Sequence, residues 1–144
     1  MKDLAIDLSS HERAMSTAAM ALAEANINIE GLTGPMDQDG LSLGHMLFER
    51  HEPARLALEA AGLRVAEERE VVVVALADQP GALWELLQRI GRRTYDLVYL
   101  ASGNRLVLGG KGIEEVARII GTGESGPHGE SIGAGDEAAT RPGK

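Results

Sequence analysis

Val71-Val72-Val73-Val74-Ala75-Leu76-Ala77-Asp78-Gln79-Pro80-Gly81-Ala82-Leu83 is an unbroken apolar run that passes through a Pro-Gly turn into a helix. The run reads as a buried strand. The helix after it carries Leu83, Leu86, Leu87 and Ile90 at helical spacing. Pro80 falls at or near the first helical position, where its missing N–H has no helical partner to lose. The other N–H groups of that turn have the positive end of the helix dipole behind them. Gly81 permits close approach to the backbone. The stretch is therefore a candidate seat for a small anion such as an amino-acid carboxylate.

Working outward, the pattern recurs 68 residues earlier. Leu4, Ile6 and Leu8 alternate as Val72, Val74 and Leu76 do, and Met15, Ala18, Ala19 and Leu22 repeat the helical stripe. A second strand starts around Asn28-Ile29 in the first copy and Asp96-Leu97 in the second. Asp39-Gly40 and Gly103-Asn104 mark hairpin turns. Strands Leu41 to Phe48 and Arg105 to Leu108 follow, then helices from about Pro53 to Ala61 and from about Ile113 to Ile120. A short closing strand, Leu63 to Ala66, ends the first copy, and Glu67-Glu68-Arg69-Glu70 reads as a solvated connection.

The expected class is α+β, with two ferredoxin-like (βαββαβ) domains in tandem, side by side. Their boundaries fall at residues 1–68 and 69–120, the second without a closing strand. Residues 121–144 have no periodicity and read as a disordered tail. Edge strands of two such sheets can join and protect each other. The run Val71 to Ala77 is apolar on both faces, which needs cover on both. A second chain, and hence a homodimer, would supply it. Exposure of Val73 and Ala75, or cover within the chain, are the alternatives.

A net charge of −8 removes the basic face that nucleic acid or an anionic membrane requires. Without cysteine there is neither a disulfide framework nor a thiolate ligand or nucleophile. The start, Met1-Lys2-Asp3-Leu4, leads into a strand, and no apolar run is long enough to span a bilayer, so a cytoplasmic location is expected.

The motif Asp78-Gln79-Pro80-Gly81-Ala82-Leu83, with Asn26-Ile27-Asn28-Ile29 entering the second strand of the first copy, resembles the ACT domain. The likeness covers about residues 3 to 120, and the tandem arrangement is similar to stand-alone proteins of two ACT domains. The resemblance implies a non-catalytic regulatory fold without a cofactor. It also implies a small amino-acid effector at the interface between two ACT units, acting on a regulated enzyme or transporter. Carried over, it pairs Asp78, Gln79, Gly81, Ala82 and Leu83 with Asn26, Asn28 and Ile29. The residue types suit this: backbone N–H groups for a carboxylate, Asn28 or Asp78 for an ammonium group, and Ile27, Ile29 and Leu83 as an aliphatic wall. The first copy departs from the motif, reading Ser9-Ser10-His11-Glu12-Arg13. A possible second site would comprise Ser10, His11, Arg13, Tyr95, Asp96 and Tyr99.

Other signals are weaker. Gly109-Gly110-Lys111-Gly112 lacks P-loop spacing. Asp37-Gln38-Asp39-Gly40 lacks the later Glu of a calcium loop. His11, His45, His51 and His128 have no metal-ligand spacing, and His45 reads as a satisfied buried histidine. No residue is assigned to catalysis or to a metal. Trp84 is open to three readings: cover for the site, a subunit contact, or a partly exposed helix residue. Two alternative functions share the topology. One is a small acylphosphatase-like hydrolase using Arg13. The other is an assembly module without a ligand, to be recognised by a Gly81 cleft filled with side chains.

Overall fold

A computed structural model describes residues 1–9, 12–38, 41–91, 95–121 and 131–132. The hairpin turn expected at Asp39-Gly40 lies outside them. The chain divides into two compact units, Met1–Glu70 and Val71–Lys144.

The first unit runs β1 (Lys2–Asp7), α1 (Ala14–Glu24), β2 (Gly31–Gln38), β3 (Leu41–Phe48), α2 (His51–Ala60) and β4 (Arg64–Glu70). Its strands are ordered β4-β1-β3-β2, and all three pairings are antiparallel. Alternation sends Leu4, Ile6, Met46 and Phe48 to one face, where they pack with Ala18 and Leu22 of α1 and Ala54 and Leu58 of α2. Each fully buried leucine here contributes about 1.5–3 kcal/mol relative to exposure. The opposite face is also buried: Asp3, Ala5, His45 and Leu47 are each at most 5 % exposed.

Glu67 to Glu70 differ from expectation. They belong to β4 rather than to a solvated connection. Backbone pairing with β1 makes them a strand, and the Lys2 ammonium donates to Glu68 at 3.0 Å across that pairing. Arg55 and His51 of α2 approach the same carboxylate. A row of charges is also what an edge strand carries when it must not recruit a further strand.

The second unit runs β5 (Val72–Leu76), α3 (Ala82–Ile90), β6 (Leu97–Ala101), β7 (Arg105–Gly109), α4 (Ile113–Ile120) and β8 (Ser131–Ile132). The order β6-β7-β5-β8 repeats the arrangement of the first unit. Pairings β5–β7 and β6–β7 are antiparallel, whereas β5–β8 is parallel. Ser131–Ile132 thus occupy the closing-strand position that the sequence reading left empty. One isoleucine between Ser131 and Gly133 gives no periodicity to detect. Residues 122–130 and 133–144, also read as tail, lie outside the described residues. The hairpin loop Ser102-Gly103-Asn104 joins the paired residues Ala101 and Arg105, with φ of 73° at Gly103 and 55° at Asn104.

Val72, Val74, Leu76, Leu106 and Leu108 face the helices and pack with Leu86, Ile90, Val116 and Ile120. On the other face of β5, Val71 and Val73 are 4 % and 2 % exposed in the single chain. The α3 stripe shifts. Ala82, Leu86 and Ile90 are the buried positions, and Leu83 is 43 % exposed.

Candidate functional site

The backbone from Gln79 to Ala82 forms the centre of the candidate site. The Ala82 N–H reaches the Gln79 carbonyl at 3.4 Å, closing a four-residue turn. Pro80 is at its second position and Gly81 at its third, with φ 95° and ψ −18°. This is the type II turn, which wants Pro then Gly in that order. The role first read for Pro80 is corrected: it lies before the N-cap, and Gly81 is the N-cap. Gly81 is required for its positive φ. A Cβ added there would meet nothing within 4 Å, so the space beside it is open. Gly81→Ala is expected to lower stability by about 1–2 kcal/mol through backbone strain alone. Chemical denaturation checks this; an unchanged midpoint would remove the strain argument.

The first intrahelical bond of α3 runs from the Glu85 N–H to the Gly81 carbonyl at 2.9 Å. The N–H groups of Leu83 and Trp84 precede it, and no side chain caps the helix. A cavity of about 400 Å³ opens at this end, lined by Leu76, Ala77, Asp78, Gln79, Pro80, Ala82, Leu83, Leu100 and Asn104. Four of the predicted residues, Asp78, Gln79, Ala82 and Leu83, are thereby brought together beside Gly81. Asp78 is exposed. The Gln79 side-chain nitrogen is buried without a hydrogen-bond partner, so an acceptor reaching it would relieve a desolvated donor. Trp84 is 63 % exposed and does not line the cavity.

Leu100 and Asn104 were missed from the sequence. The Asn104 side chain donates to the Leu76 carbonyl at 2.8 Å, and its own carbonyl accepts from the Leu76 N–H at 2.9 Å. These bonds fasten the β6–β7 hairpin to the end of β5 and so fix one wall.

Asn26, Asn28 and Ile29 lie in the first unit. Asn26 ends α1 with φ 56°. Its N–H bonds the Ala23 carbonyl, and the Ile27 N–H bonds the Leu22 carbonyl at 2.9 Å. That pair of bonds is a Schellman motif, in which Asn supplies the left-handed residue and Ile27 meets Leu22. Ile27 is accordingly part of the core, and Ile29 packs partly against it. Asn26, Ile27 and Asn28 line a small cleft of about 150 Å³ with Glu30, Glu49 and Arg50. Asn28 donates its amide to Glu30 there.

Of the possible second site, Ser10 and His11 lie outside the described residues. Arg13 is the exposed N-cap of α1, with no acidic residue in the first turn. Tyr95 packs against the core of the second unit, Asp96 is exposed and Tyr99 is 9 % exposed. The first-copy turn is organised differently, by Asp7. Asp7 accepts from the Ser9 hydroxyl and the Ser9 N–H, and from Arg64 at 3.4 Å. The Ser9 hydrogen bonds chiefly, aided by Arg64 and opposed by burial, hold its carboxyl below the ordinary range. A carboxyl depressed in the folded state adds stability above its unfolded pKa, near 4. That stability is lost as pH falls through the folded value. Asp7→Asn is therefore expected to lower the melting temperature at neutral pH and to make it less sensitive to pH below about 4. Parallel melting curves for both proteins between neutrality and acid would contradict this.

Among the described residues no cluster of His, Asp or Glu could hold a metal ion, and no helix is long and apolar enough to cross a membrane.

No family model matches the chain, and no curated protein matches its sequence. Solved structures do match its fold. Protein BT0572 of Bacteroides thetaiotaomicron is 20 % identical, with a TM-score of 0.69 over 83 % of this chain and 85 % of that one. The ligand-free regulatory subunit of aspartate kinase from Thermus thermophilus is 14 % identical, with a TM-score of 0.59 over 85 % and 91 %. The same subunit from Thermus flavus is 17 % identical, with a TM-score of 0.53 over 82 % and 88 %. The chain shares the α+β fold of these solved structures.

Proposed function

We propose that this protein is a non-catalytic regulatory module of two ferredoxin-like ACT domains in tandem that binds a small amino acid at the β5–α3 turn. In this reading Asn26, Asn28 and Ile29 take part in holding the effector, as the ACT resemblance implies. The protein then acts, as a homodimer, on a partner enzyme or transporter. The observation that carries the reading is the open cavity of about 400 Å³ at the uncapped start of α3. An assembly module would have no reason to keep that cleft clear of side chains. The chemistry follows from the lining. The Leu83 N–H group suits a carboxylate at a helix N-terminus, and the Asp78 carboxylate suits an ammonium group. Likeness in fold to kinase regulatory subunits supports a regulatory role by analogy only.

The test is a panel of the common amino acids. One or a few are expected to raise the melting temperature and to give saturable heat by titration calorimetry. A panel that shifts neither would refute the sensor reading.

A further inference from the structure

Resting on that reading, we infer that the effector is an amino acid with an uncharged, apolar side chain, and that Leu100 selects it. Two observations carry this. The first is the charge inventory of the cavity. Its lining holds one carboxylate, Asp78, and no lysine, arginine or histidine. A zwitterionic backbone uses the available groups fully: the ammonium meets Asp78 and the carboxylate meets the first turn of α3. A second carboxylate on the ligand would find no cationic side chain and would add a like charge beside Asp78. A second ammonium would have to share Asp78 with the first.

The second observation is the apolar wall. Leu76, Ala77, Ala82, Leu83 and Leu100 line the cavity. Val98 and Leu100 pair with Leu108 and Leu106 of β7, which places them on the face that carries the helices. Yet they remain 50 % and 57 % exposed, and Leu83 of α3 is 43 % exposed. Leu83 and Leu100 are therefore apolar side chains on the cavity wall that the core does not consume. Asn104 could have offered a polar contact, but its amide nitrogen is committed to the Leu76 carbonyl. Apart from the Gln79 amide nitrogen and the Asn104 amide oxygen, the surface left to meet the ligand's side chain is hydrocarbon.

The probe is L-leucine, titrated into the full chain against L-alanine, L-aspartate and L-lysine. Leucine is expected to bind at least about tenfold more tightly than alanine, the usual effect of burying a larger aliphatic side chain. Leu100→Asp is expected to weaken leucine binding at least about tenfold without altering the melting temperature of the free protein, because the residue is more than half exposed. Leu83→Ala provides a second variant with the same expectation, should the first unfold. If aspartate or lysine binds more tightly than leucine, and Asp78→Ala weakens that binding, the apolar class is overturned while the sensor reading stands. If no amino acid binds, both fall. Leucine binding indifferent to Leu100→Asp and Leu83→Ala would overturn the assignment of this wall.

Discussion

His45→Leu is expected to destabilise the first unit by about 1–3 kcal/mol, the cost of removing one partner of a buried hydrogen bond. The His45 imidazole Nδ1 lies 2.7 Å from a carboxylate oxygen of Asp3, and the two residues are 5 % and 0 % exposed. They sit on the sheet face opposite α1 and α2, because Leu4 and Met46, their neighbours in sequence, face the helices. Removing the imidazole leaves the Asp3 carboxylate in a site closed to water without the hydrogen-bonding partner that β3 provides. Burying such a group costs far more than a surface ion pair gains. Replacing both residues by leucine should recover much of the loss, since replacing both partners of a buried hydrogen bond by apolar groups of similar shape is often nearly neutral. Urea unfolding of wild type, both single variants and the double variant closes the cycle. Because the chain has two units, the transition should be followed by more than one probe. A loss below about 1 kcal/mol for His45→Leu would mean that the pair is no more than a surface contact.

The element order was legible because it rests on periodicity. Leu4-Ile6-Leu8 alternates, and Val116 and Ile120 repeat at helical spacing. The structure places β1 and α4 on these positions, with bounds Lys2–Asp7 and Ile113–Ile120. What failed were readings that depend on what lies opposite. Glu67 to Glu70 look like a linker by composition and become a strand because β1, more than 60 residues earlier, supplies a backbone ladder, which Lys2 reinforces through Glu68. Leu100 and Asn104 could not be placed at the Asp78 turn, since the bonds joining Asn104 to Leu76 span 28 residues. Two signals were present and misread. Pro80-Gly81 is the ordinary dipeptide of a type II turn. Asn26 followed by Ile27, after a helix containing Leu22, is a Schellman signature. In both cases a local backbone role explains the residue before any ligand is invoked.

That lesson singles out Asp78 as the sharper probe of binding. Gly81 and Asn26 hold special backbone angles, so their substitution mixes strain with function. Asp78 is exposed and lines the cavity. Asp78→Ala is expected to weaken binding of the effector amino acid about 10- to 100-fold, corresponding to the roughly 1.5–3 kcal/mol of a hydrogen bond to a charged group. Asp78→Asn should fall between, keeping an acceptor oxygen but losing the charge that attracts an ammonium group. The free protein should lose only a few tenths of a kcal/mol, the share of a negative charge close to a helix N-terminus. Calorimetric titration measures the first effect, and melting of the free protein measures the second. Affinity changed less than about twofold in Asp78→Ala would place the ammonium group elsewhere.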